Sequence, residues 1–322
     1  NVNTMLTLNN GIGLDHTDGS LNVAGGQTLT IDGTHNWLSG AISGAGQVNY
    51  TNGAALNLSS SSAKNLDGIG LNLTNATFLF AGGGSGLTFI NDATIDIGAG
   101  GQMLLQGGGF INMDPASNSQ ISIQAGGQLI HDSPGTVILE PDLMLTGDMT
   151  LMDGILRLDG SADFAGIIQF NTGTTLVLNG APDTYTFNIG SDLTGTGGTL
   201  QLDSLSATMN VATGLIIDAG LTFRHDAGTV NVTSGNMLSV QGDYDWYAGT
   251  VTGLGDLNID ANGTLTLNSS QVKTLDGVNL NVTGANAVVS YLNDGLRFAN
   301  GAHMTVDNGG RFEVLNSSTI DD

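Results

Sequence analysis

The sequence predicts an all-β fold, a right-handed parallel β-helix (β-solenoid), and three observations favour it. Glycine supplies 50 of the 322 residues, and only six residues are Lys or Arg. Only two residues are glutamate, so several of the strong helix formers are scarce. Short apolar-x-apolar triplets recur along the whole chain, separated by Gly, Asn and Asp, which favour turns. We therefore expect many short strands and no substantial helix.

The triplets recur roughly every eight residues, as in Leu29-Thr30-Ile31, Leu56-Asn57-Leu58 and Leu71-Asn72-Leu73. Alternation with a period of two indicates a short strand with one buried face. Three such strands would close one coil of about 20–25 residues in a solenoid, which gives about 14–16 coils. A β-sandwich or propeller also has many strands, but those strands are usually about five to six residues long and are anchored by aromatic residues. With 5% aromatic residues, the β-helix is favoured.

The same alternation predicts which side chains point into the coil. The outward residues are expected to include Thr30, Asn57, Asn72 and Asp96. The inward residues are expected to include Leu29, Ile31, Leu56, Leu58, Leu71, Leu73, Ile95, Ile97, Leu238, Val240, Leu265, Leu267, Leu280, Val282, Met304 and Val306.

The chain contains a long internal repeat. Residues 1–113 align with residues 210–322 at a constant offset of 209 and without a gap, and roughly a third of the aligned residues are identical. Residues 114–209 complete the first copy of the repeat. The alignment matches His16 with His225, Trp37 with Trp246, and Lys64 with Lys273. We predict that residues 1–322 form one continuous β-helix.

Composition excludes several classes of function. The formal net charge of −23 argues against binding to nucleic acid or to an anionic membrane surface. No apolar run approaches the roughly 20 residues that a membrane-spanning helix needs, so membrane insertion is not expected. The chain has no cysteine, which removes disulfides and thiolate chemistry. This composition fits an extracellular protein of the bacterial cell surface.

No group of residues is typical of a catalytic site, and we predict that the chain is not an enzyme. The basic residues are scattered singly, and aspartate pairs such as Asp183/Asp192 and Asp243/Asp245 are expected on solvated turns. No cofactor or specific metal site is predicted. Residues 82–86 (GGGSG) are followed by Leu87 rather than Asp, so the calcium-binding nonapeptide pattern is absent. Weak calcium binding at aspartate-rich turns stays open.

The other chemically distinctive residues have two interpretations each. His16 and His225 are expected at turns or at the surface rather than at a metal site. Lys64 and Lys273 are expected to place their ammonium groups against an Asp or carbonyl oxygens of a neighbouring coil.

The segment 244–247 (YDWY) is the densest aromatic cluster, so Tyr244, Trp246 and Tyr247 are candidate glycan contacts. The first copy, His35-Asn36-Trp37-Leu38, retains only the tryptophan, which favours packing of the tryptophan against the coil.

The segments 37–46 (WLSGAISGAG) and 64–68 (KNLDG), with their second copies from Trp246 to Gly253 and from Lys273 to Gly277, resemble the glycine-rich repeats of giant bacterial surface proteins. These are filamentous-haemagglutinin-type adhesins and autotransporter passengers. The resemblance implies a secreted β-helix that serves as a stalk, adhesin or fibre and carries no catalytic residue.

We therefore expect a structural or adhesive rod, with a glycan-binding β-helix as the alternative and a polysaccharide-active enzyme as a less favoured one. Expected partners are the chain itself, by end-to-end coil stacking or covalent continuation, and surface glycans.

Overall fold

The computed structural model describes residues 1–81, 86–292 and 295–315 together with the backbone of 320–321. The glycine-rich segment at 82–85 lies outside the described residues. Throughout the described part of the chain the regular elements are β-strands, with no helix, and parallel sheets form β-solenoid coils, about 13 turns in all. The predicted all-β parallel β-helix is confirmed. The turns are slightly fewer than 14–16 because some coils are longer than expected: Ile121 pairs with Ile95, 26 residues earlier.

The chain divides into two compact units, Asn1–Ala162 and Asp163–Asp322. This boundary differs from the end of the first sequence repeat at residue 209. The continuity of the β-helix over 1–322 therefore stays a prediction.

In the first unit most coils contribute three strands of three to five residues, and strands on the same side of successive coils pair in parallel. Two longer strands each run around a corner of the coil and pair with each other with two register shifts. The strands are β1 (Leu6–Leu8), β2 (Gly13–His16), β3 (Ser20–Asn22), β4 (Thr28–Ile31), β5 (Thr34–Trp37), β6 (Gly40–Ser43), β7 (Gln47–Tyr50), β8 (Ala55–Leu58), β9 (Lys64–Asp67), β10 (Gly70–Leu73), β11 (Thr77–Phe80), β12 (Leu87–Ile90), β13 (Thr94–Ile97), β14 (Gln102–Leu105), β15 (Gly109–Met113), β16 (Gln120–Ile123), β17 (Gln128–Leu139), β18 (Asp142–Leu145) and β19 (Asp148–Leu158).

The second unit repeats the three-strand coil with the same parallel pairing. Strand β20 (Ala162–Phe164) begins at the last residue of the first unit, and the remaining strands of the second unit come after it. They are β21 (Ile167–Phe170), β22 (Thr175–Leu178), β23 (Thr184–Phe187), β24 (Asp192–Gly195), β25 (Thr199–Leu202), β26 (Thr208–Val211), β27 (Leu215–Ile217), β28 (Thr222–His225), β29 (Thr229–Val232), β30 (Met237–Val240), β31 (Asp243–Trp246), β32 (Gly249–Gly253), β33 (Asp256–Ile259), β34 (Thr264–Leu267), β35 (Lys273–Asp276), β36 (Asn279–Thr283), β37 (Val288–Tyr291), β38 (Leu296–Ala299), β39 (His303–Asp307), β40 (Arg311–Val314) and β41 (Ile320–Asp321).

The core of each unit is a set of columns in which inward side chains stack from coil to coil. In-register pairing places the alternate residues of each strand directly over those of the strand below. Fourteen of the sixteen predicted inward residues are buried. The other two are Met304, which is half-buried, and Val306, which is 41% exposed. Both lie on β39, which pairs among the described strands with β36 alone, so one side of the strand has no covering coil.

Polar ladders follow the outward side of the strands. The Asn72 side-chain amide donates to Asn49 at 2.8 Å, and that of Asn57 donates to Asn36 at 3.0 Å. The second unit repeats this arrangement between Asn231 and Asn210 at 3.0 Å. Each ladder joins two coils outside the backbone pairing, so outward residues contribute to cohesion. Nothing among the described elements is a helix of the length and apolarity needed to cross a membrane.

Candidate functional site: the histidine–tryptophan stacks and lysine-held loops

The chemically distinctive side chains that the two repeat copies share lie inside the coils. Trp37 and Trp246 are fully buried, and so are Lys273 and His225. Strand alternation explains this, since Trp246 lies two residues after Tyr244, on the same inward side of β31. The preference for tryptophan packing against the coil is therefore confirmed. The predicted surface or turn position of the paired histidines is wrong.

In the second unit His225 lies between aromatic rings. Its imidazole stacks on Trp246 with ring centroids 5.7 Å apart and an angle of 5° between the planes. Nδ1 lies 3.0 Å from the Tyr244 hydroxyl, and Nε2 lies 3.2 Å from the Gly228 carbonyl oxygen. Burial lowers the pKa of His225 to about 4. The ring is thus a neutral hydrogen-bonding element of the core at neutral pH.

In the first unit the matched His16 stacks on Trp37 at 6.0 Å, again with 5° between the planes. A second histidine extends this stack, because His35 lies 6.0 Å from His16 and 6.1 Å from the Tyr50 ring. His35 Nδ1 is 2.7 Å from the Tyr50 hydroxyl, and Nε2 is buried without a hydrogen-bond partner. Burial, assisted by the nearby His16, lowers the pKa of His35 to about 3.

Each copy also holds a loop through a buried lysine. Lys64 Nζ donates to the carbonyl oxygens of Ser60 at 2.9 Å and Ser62 at 2.8 Å, and to the Ser60 hydroxyl at 3.0 Å. Lys273 Nζ donates to the matched carbonyl oxygens of Ser269 and Gln271 at 2.8 and 2.9 Å. The predicted carbonyl partners are correct in kind, but they belong to the loop before the strand rather than to a neighbouring coil.

The serine of each loop fixes the loop to the coil below. The Ser60 hydroxyl donates to the Leu38 carbonyl oxygen, and the Ser269 hydroxyl donates to the matched carbonyl oxygen of Tyr247. Leu38 and Tyr247 each follow the buried tryptophan. The loop, the lysine and the tryptophan strand therefore form one connected unit in both copies.

A glycine at the start of the next strand permits this packing. Gly40 and Gly249 have φ of +89° and +96°, a region that side chains with a Cβ rarely occupy. A Cβ on Gly249 would also meet His225 Nε2 at 2.6 Å. Close approach of this backbone to the histidine stack thus requires glycine.

The candidate glycan contacts have different positions from those predicted. Tyr244 and Trp246 are fully buried in columns that continue through Leu265 and Leu267, so a saccharide ring cannot reach them. The prediction is wrong for these two residues, because both occupy inward positions of β31. Tyr247 lies beyond the strand and is half-buried.

Tyr247 belongs to an outward polar cluster. The Arg224 guanidinium lies 5.0 Å from the centre of its ring. Arg224 Nε also donates to Asp226 at 2.9 Å, and the Gln201 amide donates to the other oxygen of Asp226 at 2.7 Å. The outward Asp245 is paired in register with Arg224, and burial with the nearby charge of Asp243 raises its pKa. This arrangement offers donors, acceptors and part of an aromatic ring on one surface.

No group of three or more His, Cys, Asp or Glu residues that could hold a metal ion occurs within the ranges that the structure describes. Weak calcium binding at single aspartate turns stays a prediction. Asp243 and Asp245 lie two residues apart on the outward side of β31, where Asp243 accepts a hydrogen bond from Thr264.

A signal for the buried histidines and lysines was present in the sequence. Phe223-x-His225 and Lys64-x-Leu66 continue the same period-two alternation as the aliphatic triplets. The alternation places His225 and Lys64 on the inward side. Residue type favoured an exposed position, and the strand pattern outweighed it.

The sequence matches no family model. It matches none of the curated proteins either. Among solved structures, the chain is similar to the TibC-catalysed hyper-glycosylated fragment of TibA, residues 55–350. The match covers 96% of this chain and 99% of that chain, at 15% sequence identity and a TM-score of 0.31.

Proposed function

We propose that this chain is a structural or adhesive segment of a large bacterial surface or extracellular fibre protein, in which it acts as a stiff β-helical rod. One observation carries the proposal. The residues best suited to chemistry, the paired histidines and lysines, are used inside the coils to join rings, loops and strands. Such residues stabilise a scaffold and are not presented to a substrate.

Two further features support this proposal. Polar ladders link coils on the outward side, as between Asn72 and Asn49 and between Asn281 and Asn258 at 2.9 Å. Pulling coils apart would break these bonds together with the parallel backbone pairing. The net charge of −23 and the absence of cysteine suit a soluble segment outside the cell. The resemblance of the glycine-rich segments to adhesin repeats points to the same location.

The shape of the chain in solution tests the structural part. We expect small-angle scattering and electron images of the purified chain to give elongated particles of uniform width. A compact, globular scattering profile would contradict the rod.

For the adhesive part, beads coated with the chain should bind to host-cell layers more than beads coated with an equally acidic, unrelated protein. Equal binding by the two kinds of bead would leave a structural rod without adhesive activity.

A glycan-binding β-helix is the second candidate function, and the Arg224–Tyr247 cluster favours it. An aromatic ring lies beside Arg224, which is hydrogen-bonded to Asp226, and Asp226 accepts from Gln201. Rings, charged groups and amides of this kind bind sugars. A glycan array should then show a ligand whose signal falls at least tenfold in Tyr247→Ala. The control is Leu38→Ala, at the matched position of the first copy. An array without signal would exclude this candidate.

A polysaccharide-active enzyme is the third candidate. If the outward carboxylates Asp243 and Asp245 were catalytic, the chain would cleave an acidic or neutral polysaccharide, and Asp245→Asn would abolish that cleavage. We expect no reducing ends to be released from either class of polysaccharide.

A further inference from the structure

His35 is enclosed so that the second N–H of a protonated imidazole would have no hydrogen-bond acceptor. On its strand column it lies between Leu14 of β2 and Leu56 of β8. Its Nδ1 faces the Tyr50 hydroxyl of β7, and its buried Nε2 has no partner. Of the charged groups nearby, His16 opposes protonation of His35, and Asp15, on the outward side of β2, favours it more weakly.

His225 is equally enclosed but fully hydrogen-bonded. A neutral ring can donate from Nε2 to the Gly228 carbonyl oxygen and accept at Nδ1 from the Tyr244 hydroxyl. Protonation would change Nδ1 from an acceptor to a second donor. The Tyr244 hydroxyl would then have to direct its own proton toward another acceptor. The column neighbours are Leu202 of β25 and Trp246 of β31, which accept none. Asp226, on the adjoining turn, favours the charged ring, but burial outweighs it.

We propose that these two histidine stacks are acid-sensitive points, one in each unit, at which the adjacent coils open when His35 or His225 takes up a proton. Opening lets water solvate the imidazolium, which the closed coil does not. The two sites lie in matched parts of the two repeat copies. Tyr244 occupies the position that matches His35, and His225, which contacts Tyr244, matches His16, which contacts His35. A neutral-pH scaffold would thereby loosen locally in acidified surroundings.

The sign of the effect follows from proton linkage. In the open chain these imidazoles have a pKa near 6.5, whereas burial lowers the pKa of His35 to about 3 and that of His225 to about 4 in the closed coil. The closed coil therefore binds fewer protons, and its stability falls as pH falls below about 6.5. At pH 4 the opening equilibrium around each histidine should rise by roughly two orders of magnitude relative to pH 7.

Hydrogen exchange resolved by peptide tests this proposal, with rates corrected for the intrinsic pH dependence. In the wild-type chain, protection over 34–37 and 222–225 should fall roughly a hundredfold between pH 7 and pH 4. His35→Leu matches its column neighbours and should abolish this fall in the first segment only. His225→Leu should abolish it in the second segment only. His303→Gln, which changes an exposed histidine, should leave both unchanged. Variants that keep the wild-type fall would overturn the proposal.

Imidazole NMR of the wild-type chain provides a readout that needs no core substitution. The ring signals of His35 and His225 should keep the chemical shifts of a neutral imidazole until the signals of the opened chain appear. Titration of His35 and His225 near pH 6.5 within an intact folded spectrum would equally overturn the proposal, even if the leucine variants failed to fold.

Discussion

His131 is a buried histidine without the partners that the stacked histidines have. It lies on the inward side of β17, between Leu105 of the coil below and Leu151 of the coil above. The side chain is fully buried, and neither ring nitrogen has a partner within normal hydrogen-bond geometry. Burial lowers its pKa, against the weaker opposing effects of Asp153, Asp132 and the Ile155 backbone. An imidazole here forfeits its hydrogen bonds to water and gains no well-formed one in return.

Replacing this histidine should therefore stabilise the chain. His131→Leu completes an aliphatic column, and we expect the free energy of unfolding to rise by about 1–3 kcal/mol at pH 7, measured by chemical denaturation. The gain should increase below about pH 6.5, because the unfolded wild-type chain takes up a proton there that the folded one does not. His303→Leu, at an exposed position, is the matched control. A destabilised His131→Leu variant would mean that the imidazole has a partner inside the coil.

The buried lysines combine a favourable contact with an unfavourable charge. In Lys64→Met the loop carbonyls of Ser60 and Ser62 lose their donor, and the free energy of unfolding of the variant should fall by about 1–3 kcal/mol at pH 7.

Lys273 adds a pH dependence, because burial lowers its pKa to about 8 from 10.5. Between these values the folded chain binds fewer protons than the unfolded one, so stability should rise with pH.

Denaturation of wild type and Lys273→Met at pH 7 to 9.5 isolates this dependence. The stability of the wild-type chain relative to the variant should increase above pH 8, by at most about 1.4 kcal/mol per pH unit. A difference that stays constant over this range would mean that the buried amine titrates as it does in the unfolded chain.

The glycines with positive φ at strands and turns fall into two groups. Some pack against the backbone of a neighbouring coil, and others only allow the chain to turn. Gly44 and its match Gly253 have φ of +114° and +116°. A Cβ at either would lie far inside van der Waals contact of the carbonyl oxygen of the coil below, from Val23 or Val232. Gly53 also has a positive φ of +86°, but nothing lies within 4 Å of the position of its Cβ.

Alanine substitutions should separate these two roles. Gly53→Ala adds only backbone strain, which costs about 1 kcal/mol. Gly44→Ala and Gly253→Ala add a clash with backbone that must move apart, and each should cost at least about 3 kcal/mol. Thermal and chemical denaturation of the three variants measures the contrast. Equal losses would show that the coils can shift to make room for a methyl group.

Within single strands, most inward and outward positions can be predicted from the sequence. Period-two alternation was sufficient to place Leu56 and Leu58 inside and Asn57 outside, because each coil repeats the same choice. It failed at Val306, since a strand paired on one side leaves its inward residues partly uncovered. In the sequence, Tyr244 and Trp246 are candidates for surface recognition because they are aromatic neighbours of Tyr247. Alternation along β31 turns both inward, whereas Tyr247 lies beyond the strand.

The lysine-held loops were beyond sequence reasoning for a different reason. Their partners are backbone carbonyls, at Ser60 and Ser62 and at Ser269 and Gln271. Carbonyl groups occur at every residue, so no side-chain pattern identifies which of them converge. The matched copies indicated that Lys64 and Lys273 share a role, and only the fold of the loop shows which role.

For the whole molecule, net charge and exposed apolar surface act in opposite directions on self-association. The charge of −23 keeps chains apart at low ionic strength. In the first coil of the 322-residue chain, Leu6 is 45% exposed, and in the last described coils Val306 is 41% exposed. Parallel strands at the ends of a sheet also leave backbone N–H and C=O groups unpaired, which favours addition of another strand.

We expect the end-to-end contact to prevail once the charge is screened. Sedimentation velocity in about 0.5 M salt, where the Debye length is only a few ångströms, should show larger species that grow with concentration. Fewer should form in about 0.01 M salt. Head-to-tail contacts that do not close give open filaments, so the species should have no fixed upper size. A capping helix grafted onto the first coil should cover Leu6 and hold the chain to a monomer or dimer in the same salt. If the uncapped chain stays monomeric at high concentration in 0.5 M salt, the coil ends do not associate.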